Sequence, residues 1–126
     1  MKLLAVLLLT TLAVGCGYSH PITPIQPGTM PIIAALVPNN ANHGGVAFTF
    51  EVDGSQFHSS AVINFNGVAQ TTTFVSSAKL TTMISSMAIA NAGTVPVTVT
   101  NPGTPGGIYG GGTKAATSTA MNFTIN

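Results

Sequence analysis

The chain has 126 residues, which allows one domain and argues against two. Charged residues make up 4% of it, against about 25% in an ordinary soluble domain. With Lys2 set aside as part of an N-terminal signal, two lysines balance two acids, and this neutral surface offers no electrostatic basis for a nucleic-acid partner.

The N-terminus has the features of an export signal. Met1-Lys2 is a short basic start, and the following run up to Val14 is apolar except for two threonines. A permanent membrane-spanning helix needs roughly 20 apolar residues, so this run is too short to be one. A basic start, a short apolar stretch and small residues after it predict a cleavable secretory signal over residues 1–15.

The end of the signal resembles the bacterial lipobox, in which a small residue precedes a lipid-carrying cysteine. Gly15 and Cys16 match that pattern, while Ala13 departs from it because Leu is more common there. Residues 13–15 also fit ordinary signal cleavage, so the alternative is a secreted or periplasmic protein. Cys16 is the sole cysteine and has no disulfide partner in the chain. We expect lipidation at Cys16, and Gly17 in place of an Asp favours the outer over the inner membrane.

Residues 16–30 are predicted to be an extended tether. Three prolines at positions 21, 24 and 27 alternate with small and polar residues, a composition typical of polyproline II segments. The tether would hold the folded part, residues 31–126, away from the membrane.

The folded part is predicted to be all-β. Its apolar residues alternate with polar ones in short runs that are separated by Gly, Pro, Asn and Asp, the pattern of half-buried strands joined by turns. Asn66-Gly67 is a strong hairpin signal, and Pro38 places the first strand at a sheet edge. About seven strands at this spacing predict two packed antiparallel sheets. The predicted strands lie near residues 32–37, 46–53, 61–65, 71–75, 80–84, 95–100 and 121–125. On the second of these strands, the face that begins with Val46 is predicted to point inward. The side chains predicted to form the core are Phe48, Phe50, Ile63, Phe65, Val97, Val99 and Phe123.

Several of these runs resemble the IPT/TIG domain. The resemblance lies in residues 31–38, the glycines at 44–45, the segments 50–57 and 62–67, and the later 97–102 and 123–125. It covers Pro31 to Asn126 and implies an immunoglobulin-like β-sandwich, a fold used in receptors, transcription factors and bacterial envelope proteins. It therefore implies a binding or spacer module in a bacterial lipoprotein, and no chemistry. The connection over residues 103–119 is longer and richer in glycine than the resemblance leads one to expect.

No set of residues predicts a catalytic or metal site. Glu51 and Asp53 share one strand face, but Ca²⁺ needs six to eight oxygen ligands and the chain has no other acid. His20, His43 and His58 lack metal-ligand spacing, and no serine lies in a nucleophile elbow. We therefore expect no enzyme activity, no metal and no cofactor.

The glycine-rich connection supplies the only candidate contact residues. Ile108 and Tyr109 are apolar groups among glycines, with no obvious core position. A flexible hairpin connection is one interpretation. The other is a contact loop at one end of the sandwich, in which a Tyr offers large contact area at low entropic cost.

These features predict a non-enzymatic lipoprotein of the cell envelope that binds a protein or a glycan. One alternative is a structural spacer or assembly subunit, since low charge and exposed strand edges favour self-association. Another is an accessory carbohydrate-binding module, which the lack of Trp disfavours.

Overall fold

A computed structural model of the chain describes residues 23–126. The predicted signal, Cys16 and His20 lie outside the described residues. Within residues 23–126, no helix is long and apolar enough to cross a membrane.

The described chain forms two facing sheets. The first contains β1 (Ile32–Val37), β3 (Phe48–Ser55), β6 (Thr72–Ser76) and β7 (Lys79–Ile84). The second contains β2 (Asn40–Ala41), β4 (Val62–Phe65), β5 (Val68–Ala69), β8 (Gly93–Asn101), β9 (Ala116–Thr117) and β10 (Met121–Ile125). The strand orders are β1-β3-β7-β6 and β2-β10-β8-β4-β5, with β9 also paired to β8. All pairs are antiparallel except β2 with β10.

The all-β, immunoglobulin-like sandwich predicted from the sequence is confirmed. The seven predicted strands correspond to the seven described strands of four or more residues, and β1 is an edge strand as expected. The turn between β4 and β5 falls on Asn66 and Gly67, which both have positive φ, as a two-residue type I′ hairpin requires. Residues 85–93, ambiguous in sequence, contain a short 3-10 helix (Ser86–Ile89) whose last residue is buried.

One strand begins later than predicted. Val46 was expected to start the second long strand with its side chain inward, but it is 83% exposed and β3 begins at Phe48. The reason is the length of the neighbouring strand, because β7 ends at Ile84, which pairs with Phe48. Among residues 23–126, no strand lies beside Val46 to continue the ladder.

The core is built around a cluster of phenylalanine rings. The Phe123 ring centroid lies 5.4 Å from that of Phe50 and 5.2 Å from that of Phe65, both in edge-to-face geometry, and all three rings are fully buried. Phe48, predicted to be buried, is only half-buried and stacks on Phe123 at 6.0 Å. The other predicted core residues are buried: Ile63, Val97 and Val99.

One buried amide ties three separate segments together at the end of β8. Asn101 is 1% exposed, and its Nδ2 donates 2.8 Å hydrogen bonds to the carbonyl oxygens of both Thr29 and Gln56. Its Oδ1 accepts a 3.0 Å hydrogen bond from the backbone N–H of His58. A buried side-chain amide needs such partners, and through them Asn101 fixes the β3–β4 connection and the N-terminal segment onto the sandwich.

Candidate contact site

The connection after β8 is an ordered hairpin. The pairing of β8 with β9 continues outward in the same antiparallel register, ending at a two-residue turn formed by Ile108 and Tyr109. The last pair is held by two hydrogen bonds, from the Gly107 N–H to the Gly110 carbonyl (2.7 Å) and from the Gly110 N–H to the Gly107 carbonyl (3.0 Å). The register pairs are Thr100 with Thr117, Asn101 with Ala116, Thr104 with Thr113, and Gly107 with Gly110.

The glycines of this hairpin have a steric role. Gly110, Gly111 and Gly112 all have positive φ, which L side chains rarely adopt. A Cβ atom on Gly112 would also overlap the carbonyl oxygen of Thr104 on the facing segment. The glycine content therefore allows two chain segments to approach closely.

The N-terminal segment forms a third strand beside this hairpin. Thr23 donates its N–H to the Tyr109 carbonyl (2.8 Å) and accepts from the Gly111 N–H (2.7 Å). In the same way, Gln26 donates its N–H to the Gly112 carbonyl (3.0 Å) and accepts from the Lys114 N–H (2.9 Å). The described part of the predicted tether, residues 23–30, is thus extended but hydrogen-bonded to the hairpin. We call the three paired segments, residues 23–28, 102–107 and 110–115, the ribbon.

The hydrogen bonds of the ribbon recur at every third residue. They involve Thr23 and Gln26 on one segment, and Thr104, Gly107, Gly110 and Thr113 on the others. Three residues per turn is the period of a polyproline II segment, which Pro24 and Pro27 favour. The hydrogen-bonded residues, Thr23 and Gln26, lie immediately before these prolines. The prolines have no N–H to donate, so they occupy positions that make no hydrogen bond to the hairpin.

The ribbon places both predicted contact residues at its tip. Ile108 is 93% exposed and Tyr109 is 52% exposed, and these two turn residues are called the ribbon tip. From Asn101 to Gly107 the chain advances six residues, and extended chain of that length spans about 20 Å. Every residue from Gly103 to Gly110 is exposed, so the tip projects away from the sandwich.

The two acidic residues named in the sequence, Glu51 and Asp53, both lie beside Lys79 on the protein surface. Lys79 Nζ lies 3.4 Å from a carboxylate oxygen of Glu51, and Asp53 pairs in register with Lys79 across β3 and β7. His43 Nδ1 lies 2.7 Å from the carbonyl oxygen of Asn126, at the other end of the sandwich from Asn101. Within residues 23–126, no three His, Cys, Asp or Glu side chains come together as metal ligands.

The end of the sandwich opposite the ribbon carries an open cleft of about 620 Å³. It lies between the β4–β5 hairpin and the chain that links β7 to β8, with Phe65, Val68 and Met87 among its lining. The lining contains amides, hydroxyls and apolar groups and no titratable side chain. Nearby, a shallower depression is lined by Asn39, Asn40, Asn122, Thr124 and Asn126. Neither surface is evident from the sequence, because each is lined by residues that are far apart in the chain.

The third strand of the ribbon depends on close approach at Gly28. A Cβ atom there would overlap the carbonyl oxygen of Lys114. We therefore expect Gly28→Ala to separate the N-terminal segment from the hairpin. In amide hydrogen exchange, the N–H groups of Gly111 and Lys114 should exchange faster, while global stability changes by about 1 kcal/mol or less because no core residue is lost.

Gly107→Ala is the matched control for this variant. A Cβ atom on Gly107 would meet nothing nearer than the Gly110 carbonyl oxygen at 3.9 Å, and its φ is not positive. Unchanged exchange at Gly111 and Lys114 in Gly28→Ala would show that the N-terminal segment does not need this contact.

Comparison with known protein families identifies the same fold as the strand geometry does. The family model of the IPT/TIG domain matches residues 31–125, which is most of the chain and all ten described strands. Neither the curated proteins nor the solved structures contain a match to this chain. The two-sheet sandwich and the family match agree, and the chain belongs to the IPT/TIG domain family.

Proposed function

We propose that this chain is a non-enzymatic, lipid-anchored binding module of the bacterial cell envelope, held at the membrane through Cys16. IPT/TIG domains are typically non-catalytic interaction or scaffold modules. Cys16 directly follows the predicted signal, and Gly17 favours the outer membrane. No cofactor has a role in this function.

The observation that carries the binding function is the ribbon tip. Ile108 stands in water on a turn that two short hydrogen bonds hold in place. Leaving a large apolar side chain exposed forgoes about 1.5–3 kcal/mol of burial energy, which contact with a partner recovers. An ordered backbone also loses little entropy when it binds. The tip therefore contacts another component of the envelope, with protein and glycan as the classes expected from the sequence.

The main alternative, a spacer or assembly subunit, needs no contact at the tip. An accessory glycan-binding role is favoured by one feature, the asparagine-lined depression near the end of β10. Side-chain amides there already bond to each other, from Asn40 to Asn39 at 2.7 Å and from Asn126 to Asn40 at 3.2 Å. A sugar would have to replace these bonds, so the depression supports this role less than the tip supports binding.

The anchor is tested by lipid labelling. We expect the full chain, expressed in a bacterium fed labelled palmitate, to carry label and to sediment with membranes. Cys16→Ser should lose the label completely and appear in the soluble periplasmic fraction, because the thiol is the attachment point and a single apolar tip gives only weak membrane binding.

Ser19→Ala is the matched control, because it changes a neighbouring small residue and keeps the thiol. An unlabelled, soluble wild-type chain would refute the lipid anchor and leave ordinary secretion as the explanation.

A further inference from the structure

We infer that the envelope component contacted by the ribbon tip is the lipid bilayer itself, so that Ile108 and Tyr109 rest in the interface of the membrane that holds the anchor. This inference rests on the proposed lipidation of Cys16. It names the partner of the ribbon tip as lipid, in preference to a protein or a glycan.

The described part of the chain begins beside the ribbon tip. Thr23 is hydrogen-bonded to both Tyr109 and Gly111, so the chain emerges from the ribbon at its tip and not at the base of the sandwich. The direction of the N-terminal segment is fixed, because Gln26 bonds to Gly112 and Lys114, and Thr29 accepts from the buried amide of Asn101. A membrane anchor that precedes Thr23 therefore joins the described residues at the tip end of the ribbon.

The chain between the proposed anchor at Cys16 and the ribbon tip is short. Seven residue steps separate Cys16 from Thr23, and fully extended chain of that length reaches about 25 Å at most. The ribbon spans about 20 Å and the nine residues of β8 about 30 Å more. When the long axis of the sandwich points away from the bilayer, the end with the cleft lies about 50 Å from a lipid surface that the tip touches.

The exposed side chains of the ribbon are of types that suit a membrane interface. Ile108 is almost fully exposed, Ile25 on the adjacent segment is 58% exposed, and Tyr109 joins an apolar ring to a polar hydroxyl. Tyrosine is enriched at membrane interfaces for this reason. Lys114 is exposed on the same ribbon, where its charge favours anionic headgroups.

The shape of the tip also fits a bilayer. A projecting two-residue turn offers no pocket and little area to a folded partner, but a fluid lipid surface needs no complementary shape. Attachment through Cys16 would also keep the tip at high effective concentration beside the membrane, so a contact too weak for free protein becomes effective.

The test uses the fact that the chain contains no tryptophan. We would make Ile108→Trp in the lipidated chain, and Met87→Trp as the matched control. Met87 is 86% exposed and lines the cleft at the opposite end. Each variant then carries one reporter at a site that starts in water. Both are reconstituted into vesicles of phosphatidylethanolamine and phosphatidylglycerol, with and without bromine on the acyl chains.

We expect the Ile108→Trp emission to shift to shorter wavelength in vesicles and to lose most of its intensity when the acyl chains carry bromine. The Met87→Trp emission should keep its position and intensity. Equal behaviour of the two reporters in acylated protein would overturn the inference and leave the lipid anchor intact. Circular dichroism checks that both variants keep the strand signal, and Ile25→Trp repeats the test from the neighbouring segment if Ile108→Trp is misfolded.

Two further outcomes separate the inference from its competitors. A shift of the Ile108→Trp emission that depends on protein concentration, without vesicles, would assign the tip to a second copy of the chain. A shift that needs isolated envelope protein or glycan, and not lipid, would overturn the inference while supporting the proposed function. Protein without an acyl group by mass spectrometry would refute both.

Discussion

Phe123→Ala is expected to destabilise the domain by about 3–5 kcal/mol, a loss that removes much of the roughly 5–15 kcal/mol that holds a small domain folded. The ring is fully buried and lies against Phe50, Phe65 and Phe48, with centroid separations of 5.4, 5.2 and 6.0 Å. Truncation leaves a cavity at a point where both sheets meet, and three other rings lose a partner. Edge-to-face pairs add about 0.5–1.5 kcal/mol each beyond the area buried. Urea denaturation measures the change.

Two controls show whether the effect comes from the core position. Phe74→Ala makes the same chemical change on β6, where the ring is 39% exposed, and should cost clearly less. Thr49→Ala lies between Phe48 and Phe50 on the outward face of β3 and should shift stability by about 0.5 kcal/mol or less. Equal losses for Phe123→Ala and Thr49→Ala would refute the register of the two sheets.

The core was predictable because each long strand has one buried face. Apolar residues recur at a spacing of two, as in Phe50 and Val52, Ile63 and Phe65, or Val97 and Val99. Residues two apart in a strand point to the same face of the sheet, so this spacing predicts which side chains are buried. Local turn chemistry was equally informative at Asn66-Gly67, since its positive φ angles follow from the two residues alone. Fold class and strand positions therefore follow from patterns that are local in sequence.

The ribbon was not predictable from such patterns. Its segments pair through backbone groups, with a repeat of three residues and no alternation of apolar side chains, so its sequence looks like a tether and a loop. The two halves that meet, around Thr23 and Gly110, are far apart in the chain. The glycines were the only feature of the sequence that pointed to the ribbon. A run of glycines that is required for close packing looks the same in sequence as a run that makes a loop flexible, unless the facing segment is known. The contact residues Ile108 and Tyr109 were identified by their isolation among glycines, and their role remains a prediction.

Asn101 was also missed, because Asn before Pro is a common turn signal. Its partners are backbone groups of Thr29, Gln56 and His58, the first of them 72 residues away. Nothing in the sequence around Asn101 distinguishes a buried amide of this kind from a solvated turn residue. In the structure, the Asn101 side chain is only 1% exposed and makes three hydrogen bonds.

Asn101→Asp is expected to cost about 3 kcal/mol or more at neutral pH, although Asp has nearly the shape of Asn. The new carboxylate can still accept from the His58 N–H, but it cannot donate to the carbonyl oxygens of Thr29 and Gln56. Both carbonyl oxygens lose their donor, and a negative charge on a side chain with 1% exposure then faces the two of them.

The matched control is Asn64→Asp, the same substitution with different partners. Asn64 Nδ2 donates to the hydroxyl oxygens of Thr98 at 3.2 Å and Thr100 at 3.0 Å. A hydroxyl can rotate and donate to a carboxylate, whereas a carbonyl cannot. Asn64→Asp should therefore cost about 1 kcal/mol or less.

The cost of Asn101→Asp should also depend on pH, in a direction fixed by its surroundings. Burial and the two facing carbonyl oxygens both disfavour the charged form, so the pKa of the new carboxyl in the folded state should lie above its usual value of about 3.9. A raised folded pKa means that the variant is more stable when the new carboxyl is protonated, because the protonated group can donate one hydrogen bond. Its stability therefore falls as pH rises through that pKa.

Asn101→Ala, which has no titrating group, should lose stability by an amount independent of pH over the same range. Urea denaturation of the three variants and the wild type between acidic and neutral pH measures this difference. If Asn101→Asp matched Asn64→Asp in cost and showed no pH dependence relative to Asn101→Ala, the amide would not be donating to two backbone carbonyls, and the base of the ribbon would need another explanation.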